Sequence, residues 1–185
     1  ERIDGVGLGE VFQRLVAPVS IGELTARGDL VPCKVYGPPK PIDALAMDPF
    51  DAYLRHVATP TEHPRAVVFS DSVESARELA DRMTAGGVRA ACVDGAISTD
   101  EREAKIEAFK RGEIRVLTNV FCVTEGYDDP ELSNIILARG CGSASMFLQI
   151  VGRALRSAPG KTHATLVDLR GAVHRHGLPE EERVY

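Results

Sequence analysis

Five short apolar runs, separated by polar segments, constrain the fold of this chain more than any other feature. Most residues of each run are apolar, whereas a half-exposed strand would alternate apolar and polar residues. The runs lie at 66–69, 88–93, 114–118, 134–138 and 164–169. Strands that are apolar on both faces, with amphipathic helices between them, predict a parallel sheet that is covered on both sides. The expected fold class is therefore α/β, with three α/β/α layers and a mainly parallel sheet.

Serine residues mark where the intervening helices begin. Ser72 precedes a helical stripe that ends at the glycine pair 86–87, and a later helix begins at Ser143 or Ser145 and continues through Arg156. Serine hydroxyls at such positions accept hydrogen bonds from backbone N–H groups of the first helical turn. The predicted order of elements from residue 66 onward is β-α-β-α-β-loop-β-α-β.

Composition excludes several classes of protein. Apolar residues make up 44% of the 185 residues and charged residues 26%, so the chain is neither disordered nor membrane-embedded. No apolar run approaches the roughly 20 residues needed to span a bilayer, and we expect a soluble, cytoplasmic protein with no membrane partner. The net charge of −5 argues against a protein that coats nucleic acid. The four cysteines are widely separated, which indicates neither a disulfide framework nor a metal site.

Polar and glycine-containing segments follow the predicted strands. They lie at 70–72, 94–95, 119–130 and 139–143. Ligands of parallel α/β sheets bind outside the carboxyl ends of the strands. We therefore expect the working edge of the sheet to carry these segments, although helix caps, a turn and a plain connecting loop would also account for them.

The helix predicted to end at Arg156 has one strongly cationic face. At about 100° per residue, Gln149, Gly152, Arg153 and Arg156 fall within one arc. The opposite side carries apolar residues only: Phe147, Leu148, Ile150, Val151, Ala154 and Leu155. Two guanidinium groups one turn apart repel each other, so a multiply anionic ligand such as a triphosphate would explain the pair, and Gly152 leaves room for it. The alternative is a pair of solvated surface charges.

Three motifs resemble those of superfamily-two helicases. Gln-x-x-Gly-Arg-x-x-Arg at 149–156 is similar to the last conserved motif, 118–130 resembles the fifth, and the strand ending at Ser70 resembles the fourth. The resemblance implies the second of two RecA-like (P-loop NTPase-like) domains, at 65–185. Residues 1–64 would be an interdomain connector and an N-terminal extension that packs on this domain. The chain has no start methionine, and we expect a piece of a longer protein.

The same resemblance implies a role for each matching residue. Arg153 and Arg156 would be arginine fingers, and Gln149 would sense the γ-phosphate or hold the domain interface. The remaining ATP-site positions would be Gly126, Asp128 and Gly152. The nucleic-acid-binding positions would be Ser70, Gly95, Thr118, Asn119 and Thr124. DEAD-box relatives have histidine at the position of Gln149, and the choice between DNA and RNA stays open.

The chain lacks the motifs that hold a nucleotide and its metal ion. There is no Gly-x-x-x-x-Gly-Lys-Ser/Thr and no Asp-Glu-x-His or Asp-Glu-x-Asp. We therefore expect ATP to bind with Mg²⁺ whose ligands lie on an N-terminal RecA-like domain of the parent chain, and no hydrolysis by this piece alone. The expected partners are that domain and DNA or RNA. Two alternatives remain: a non-catalytic Rossmann-like nucleotide-binding module, and an ATP-driven translocase subunit of a restriction-type system.

Overall fold

A computed structural model of the chain describes residues 19–58, 64–120 and 128–182. It contains one sheet of six parallel strands in the order β1-β6-β5-β2-β4-β3. The strands are β1 Cys33–Tyr36, β2 Ala66–Ser70, β3 Ala90–Val93, β4 Val116–Asn119, β5 Asn134–Ala138 and β6 Ala164–Asp168. The predicted α/β class with a parallel sheet is confirmed, and β5 has the predicted bounds.

Helices accompany the strands, and α3 and α5 begin where serine caps were predicted. They are α1 Ile21–Arg27, α2 Pro49–Tyr53, α3 Val73–Ala85, α4 Thr99–Lys110, α5 Ala144–Leu155 and α6 Ala172–His176. The side chains of Ser72 and Ser143 each accept a hydrogen bond from the backbone N–H three residues later. Each satisfies one of the N–H groups that a helix leaves without an internal partner.

The four central strands of the sheet, β6, β5, β2 and β4, are buried on both faces, which explains their predominantly apolar sequences. Neighbouring residues of β5 lie in different layers: Ile135 packs in a cluster with α4 and α5, and Ile136 packs in a cluster with α2 and α3. Both side chains are almost fully buried. The three-layer α/β/α arrangement is therefore present.

The segment before residue 64 shares this core. Strand β1 is an edge strand, and Cys33 lies opposite Ala164 of β6 in parallel register. Buried residues of α2 and the π-helical turn Leu54–Ala58 that follows it complete one apolar layer. The extension predicted to pack on the domain thus contributes a strand to its sheet. Over the described ranges, no helix has the length and apolar character needed to cross a membrane.

Candidate functional site

Helix α5 presents the two faces that its periodicity predicts. Phe147, Ile150, Val151, Ala154 and Leu155 are buried, whereas Gln149 is exposed and Gly152 and Arg153 are partly exposed. No described atom lies within 4 Å of the position that a Cβ at Gly152 would occupy. Packing among the described residues therefore does not require glycine at this position, and the surface beside Arg153 is open.

The prediction that Arg156 belongs to this helix is wrong. The helix ends at Leu155, and Arg156 has an extended backbone with φ −57° and ψ 136°. The segment before β1 is the reason. Leu30 forms an antiparallel bridge with Arg156, and the N–H of Val31 donates to the carbonyl of Leu155 over 2.8 Å. The backbone of Arg156 therefore does not continue the helix that carries Gln149 and Arg153.

The side chain of Arg156 contacts Asp128, which was also predicted to belong to the ATP site. Its Nη1 pairs with Oδ1 of Asp128, and the two side chains are 45% and 72% exposed. The structure thus brings together two positions that were identified from separate motifs. Because both groups face solvent, a stronger anion could replace Asp128 as the partner of Arg156 at little cost.

This pair lies at the amino edge of the sheet, and the prediction that all polar segments share the carboxyl edge is wrong for Asp128. Residues 128–133 lead directly into the amino end of β5, which runs parallel to β2. Asp128 is six residues before the start of this strand. Arg65, directly before β2, pairs with the neighbouring Asp129 and fixes this location.

Two further cations bind the turn that follows Asp128, and neither was predicted from the sequence. Arg65 is 8% exposed, and its Nη1 donates to Asp129 Oδ2 over 2.9 Å and to the carbonyl of Phe109 over 3.1 Å. Lys161 Nζ donates to the carbonyls of Pro130 and Leu132 over 2.9 and 2.6 Å. Burial lowers the pKa of Lys161 to about 8, and the charge of Asp129 opposes this shift. The three carboxylates in the sequence 128–131 could have indicated that cationic side chains pack nearby.

The four predicted nucleic-acid positions that the structure describes lie at the carboxyl edge, but two of them face inward. Thr118 and Asn119 are fully buried. The hydroxyl of Thr118 donates to the carbonyl of Ala76 over 2.6 Å, and the Nδ2 of Asn119 donates to the carbonyl of Val68 over 3.1 Å. These side chains tie β4 to α3 and β2 in the structure.

Ser70 lies at the carboxyl end of β2 and is 3% exposed. It lines a cavity of about 260 Å³ at the amino terminus of α3, together with three carboxylates. Two of these carboxylates are paired with arginines: Asp71 with Arg170, and Asp48 with Arg82. Cation pairing therefore reduces the negative charge around the Ser70 hydroxyl.

Gly95 follows a buried aspartate at the end of β3. The N–H of Ala96 donates to Asp94 over 2.8 Å, and Arg77 contacts the same carboxylate over 2.7 Å. These two interactions hold the pKa of Asp94 below its usual range. The turn at Gly95 is thus fixed by Asp94, and no described atom lies within 4 Å of a Cβ built at Gly95.

The other two predicted positions, Thr124 and Gly126, lie outside the described residues. Among the residues that are described, no group of three His, Cys, Asp or Glu side chains could hold a metal ion. The described part of the chain therefore offers no metal centre at either edge of the sheet.

Comparison with known proteins identifies the family. The model of the helicase conserved C-terminal domain matches residues 49–158. A 51.5 kDa protein of a Lactococcus phage is 32% identical over 138 residues, which are 75% of this chain and 30% of that protein. The putative ATP-dependent helicase IRC3 of Saccharomyces cerevisiae is 39% identical over 88 residues, 43% of this chain and 13% of that protein. The chain thus spans less than a third of either relative.

A solved structure shows the same fold. The Escherichia coli DEAD-box protein SrmB, bound to regulator of ribonuclease activity A, aligns with a TM-score of 0.60 at 20% identity. The alignment covers 80% of this chain and 81% of the SrmB chain. The chain therefore belongs to the family of helicase conserved C-terminal domains, and it has the RecA-like α/β fold of the C-terminal domains of superfamily-two helicases.

Proposed function

We propose that this chain is the second motor domain of an ATP-dependent DNA or RNA helicase or translocase. In this proposal it completes an ATP site whose other half lies on an N-terminal RecA-like domain of the parent protein. The observation that carries the proposal is the exposed contact between Arg156 and Asp128. Family membership supports the proposal, because the curated relative IRC3 is described as a putative ATP-dependent helicase.

The pairing of Arg156 with Asp128 suits a residue that exchanges partners. An exposed ion pair contributes only about 0–1 kcal/mol to stability, because water competes for both charges. A triphosphate carries more negative charge than one carboxylate and can accept both arms of a guanidinium. Arg156 would then turn to the phosphates, and Asp128 would become available to accept a hydrogen bond from a ribose hydroxyl.

Arg153 and Gln149 would act beside Arg156. Both lie on the face of α5 that is not buried, and the open surface at Gly152 allows the facing domain to approach. Arg153 and Arg156 would stabilise negative charge on the transferring phosphoryl group, and one such arginine contributes a factor on the order of 10³ or more. Gln149 would sense the γ-phosphate or hold the domain interface, and Gly126 would adjoin the nucleotide.

Magnesium is not assigned to residues of this chain. The described residues contain no suitable group of ligands, and the proposed ligands lie on the N-terminal domain. The ion would neutralise phosphate charge there. What this chain supplies is a set of guanidinium groups that reach the phosphates from the other side of the cleft.

Nucleic acid would bind at the opposite, carboxyl edge. Ser70 is close to the amino terminus of α3, whose free N–H groups favour a phosphate without reading sequence. Gly95 offers an open backbone, and Thr124 would contribute from the segment after β4. Thr118 and Asn119 would contribute indirectly by fixing the conformation of the end of β4, since their side chains form hydrogen bonds within the domain.

The test is nucleic-acid-stimulated ATP turnover by the full-length parent protein. Arg156→Ala and Arg153→Ala should each lower turnover by about two orders of magnitude or more while nucleotide binding is largely kept. Arg55→Ala is the matched control, because Arg55 is exposed in the π-helical turn of the opposite layer. Unchanged turnover in both Arg153→Ala and Arg156→Ala would refute the proposal. Duplex-unwinding and translocation assays then distinguish a helicase from a translocase.

A further inference from the structure

The turn that follows Asp128 is held by cations on two sides. Arg65 contacts the side chains of Asp129 and Glu131, and Lys161 contacts the backbone carbonyls of Pro130 and Leu132. We infer that Lys161 is a positioning residue for the nucleotide site: it fixes this turn so that Asp128 stands where Arg156 and the nucleotide meet. This inference rests on the proposed function.

Arg65 and Lys161 have different structural roles. Arg65 is part of the core, because its guanidinium is almost buried, bonds to the last turn of α4 and lies 5.1 Å from the centre of the Phe109 ring. Removing it would disturb packing at several elements. Lys161 is only half-buried, and its ammonium group donates to two backbone carbonyls of the turn. It is therefore the support that can be altered with the core left in place.

The position of Lys161 in the chain couples it to Arg156. Both residues lie in the short connection between α5 and β6, and the N–H of Lys161 donates to the carbonyl of Ala158 within that connection. One connecting segment thus supplies the guanidinium that contacts Asp128 and the ammonium that holds the following turn. A displacement of this connection would move both groups together relative to Asp128.

Desolvation of the ammonium group supports a specific role. Lysine side chains usually keep the ammonium group in water, even where their carbon chains are buried. Lys161 instead directs it to two carbonyls, close enough to Arg65 and Arg156 for their positive charges to add to the effect of burial in lowering its pKa. Because desolvation of this ammonium group is unfavourable, Lys161 is expected to have a structural or positioning role beyond solubility.

A kinetic double-mutant cycle in the full-length parent tests this inference. Lys161→Met keeps most of the carbon chain and removes both hydrogen bonds, and we expect about a tenfold loss in kcat/KM for ATP. Because Lys161 acts through Asp128, the same substitution should have almost no further effect in an Asp128→Asn background. A merely structural role would instead give losses that multiply. Lys110→Met, which removes an exposed lysine paired with Glu107, is the control and should leave turnover unchanged.

The outcomes separate this inference from the proposed function. Loss of turnover in Arg156→Ala, with wild-type turnover in Lys161→Met or with multiplying losses in the double variant, overturns the role of Lys161 alone. Unchanged turnover in both Arg153→Ala and Arg156→Ala overturns the proposed function itself. Lys161→Gln keeps an N–H₂ donor without the charge and serves if the methionine variant does not fold. It should retain more activity than Lys161→Ala, and equal activities would also count against the inference.

Discussion

Replacing Arg65 by alanine should cost this domain a large part of its stability. The Arg65 side chain pairs with two carboxylates, of which that of Asp129 is 5% exposed and that of Glu131 is 71% exposed. The substitution removes one buried ion pair, one exposed ion pair and a hydrogen bond to the carbonyl of Phe109. It also removes a cation from above the Phe109 ring.

The magnitude follows mainly from Asp129. Removing one partner of a buried ion pair costs about 3–5 kcal/mol, since the other charge stays buried without compensation. We expect a value near the lower limit, about 3 kcal/mol, because the charge of Lys161 still acts on Asp129. The exposed contact with Glu131 adds little. For a chain of this length, such a loss corresponds to a fall in Tm of about 6–12 °C.

Guanidinium chloride denaturation and calorimetry of the chain measure this loss. Arg111→Ala is the control: Arg111 also makes two contacts with a carboxylate, that of Glu113, but both groups are exposed. That variant should show no resolvable change. The double variant Arg65→Met, Asp129→Leu should recover much of the stability, because it removes both buried charges. If Arg65→Ala cost no more than Arg111→Ala, the reasoning about the buried pair would be refuted.

Two further predictions concern the sheet edge and pH. In Gly37→Ala the added Cβ would lie 2.9 Å from the backbone oxygen of Asp168, so β1 should separate from β6, and faster amide exchange at 33–36 would detect this change. The pKa of Lys161 is about 8 in the folded chain and near 10.4 in an unfolded one, so folding disfavours its charged form. That cost is complete below pH 8 and disappears toward pH 10.5, so wild type should gain stability relative to Lys161→Met over this range. Denaturation of both proteins at pH 7.5 and 10 measures the difference, and an opposite trend would exclude the lowered pKa.

Local patterns were sufficient to predict most of the elements. The run 134–138 became β5 without any shift, and Ser72 and Ser143 cap the helices that they precede. These features depend on residues that are neighbours in the chain. Apolar continuity reports burial on both faces, and a capping hydroxyl needs only the N–H groups of the next turn.

The site was less predictable because its geometry depends on distant residues. Leu30 and Val31 pair with the backbone of Arg156 and Leu155, where α5 ends one residue earlier than predicted, and nothing in the sequence near Arg156 indicates that contact. The location of Asp128 depends on its neighbour Asp129, which pairs with the distant Arg65 before β2. Thr118 in β4 is buried, and its hydroxyl donates to the carbonyl of Ala76 in α3, which is distant in sequence. A polar residue at the end of a strand looks the same in sequence whether it faces a ligand or the core.

The charges at the amino edge explain why this domain would need a second domain to hold ATP. Arg65 and Arg156 are paired with Asp129 and Asp128, and Lys161 lies close enough to Asp129 for its carboxylate to raise the pKa of the lysine. Phosphates approaching this edge therefore meet cations whose charge is already largely balanced. In the proposed site, closure against an N-terminal domain would exclude water and strengthen every remaining interaction with the phosphates. Only then would the exchange of Asp128 for a phosphate at Arg156 become favourable, so that the position of the two domains would follow the state of the nucleotide.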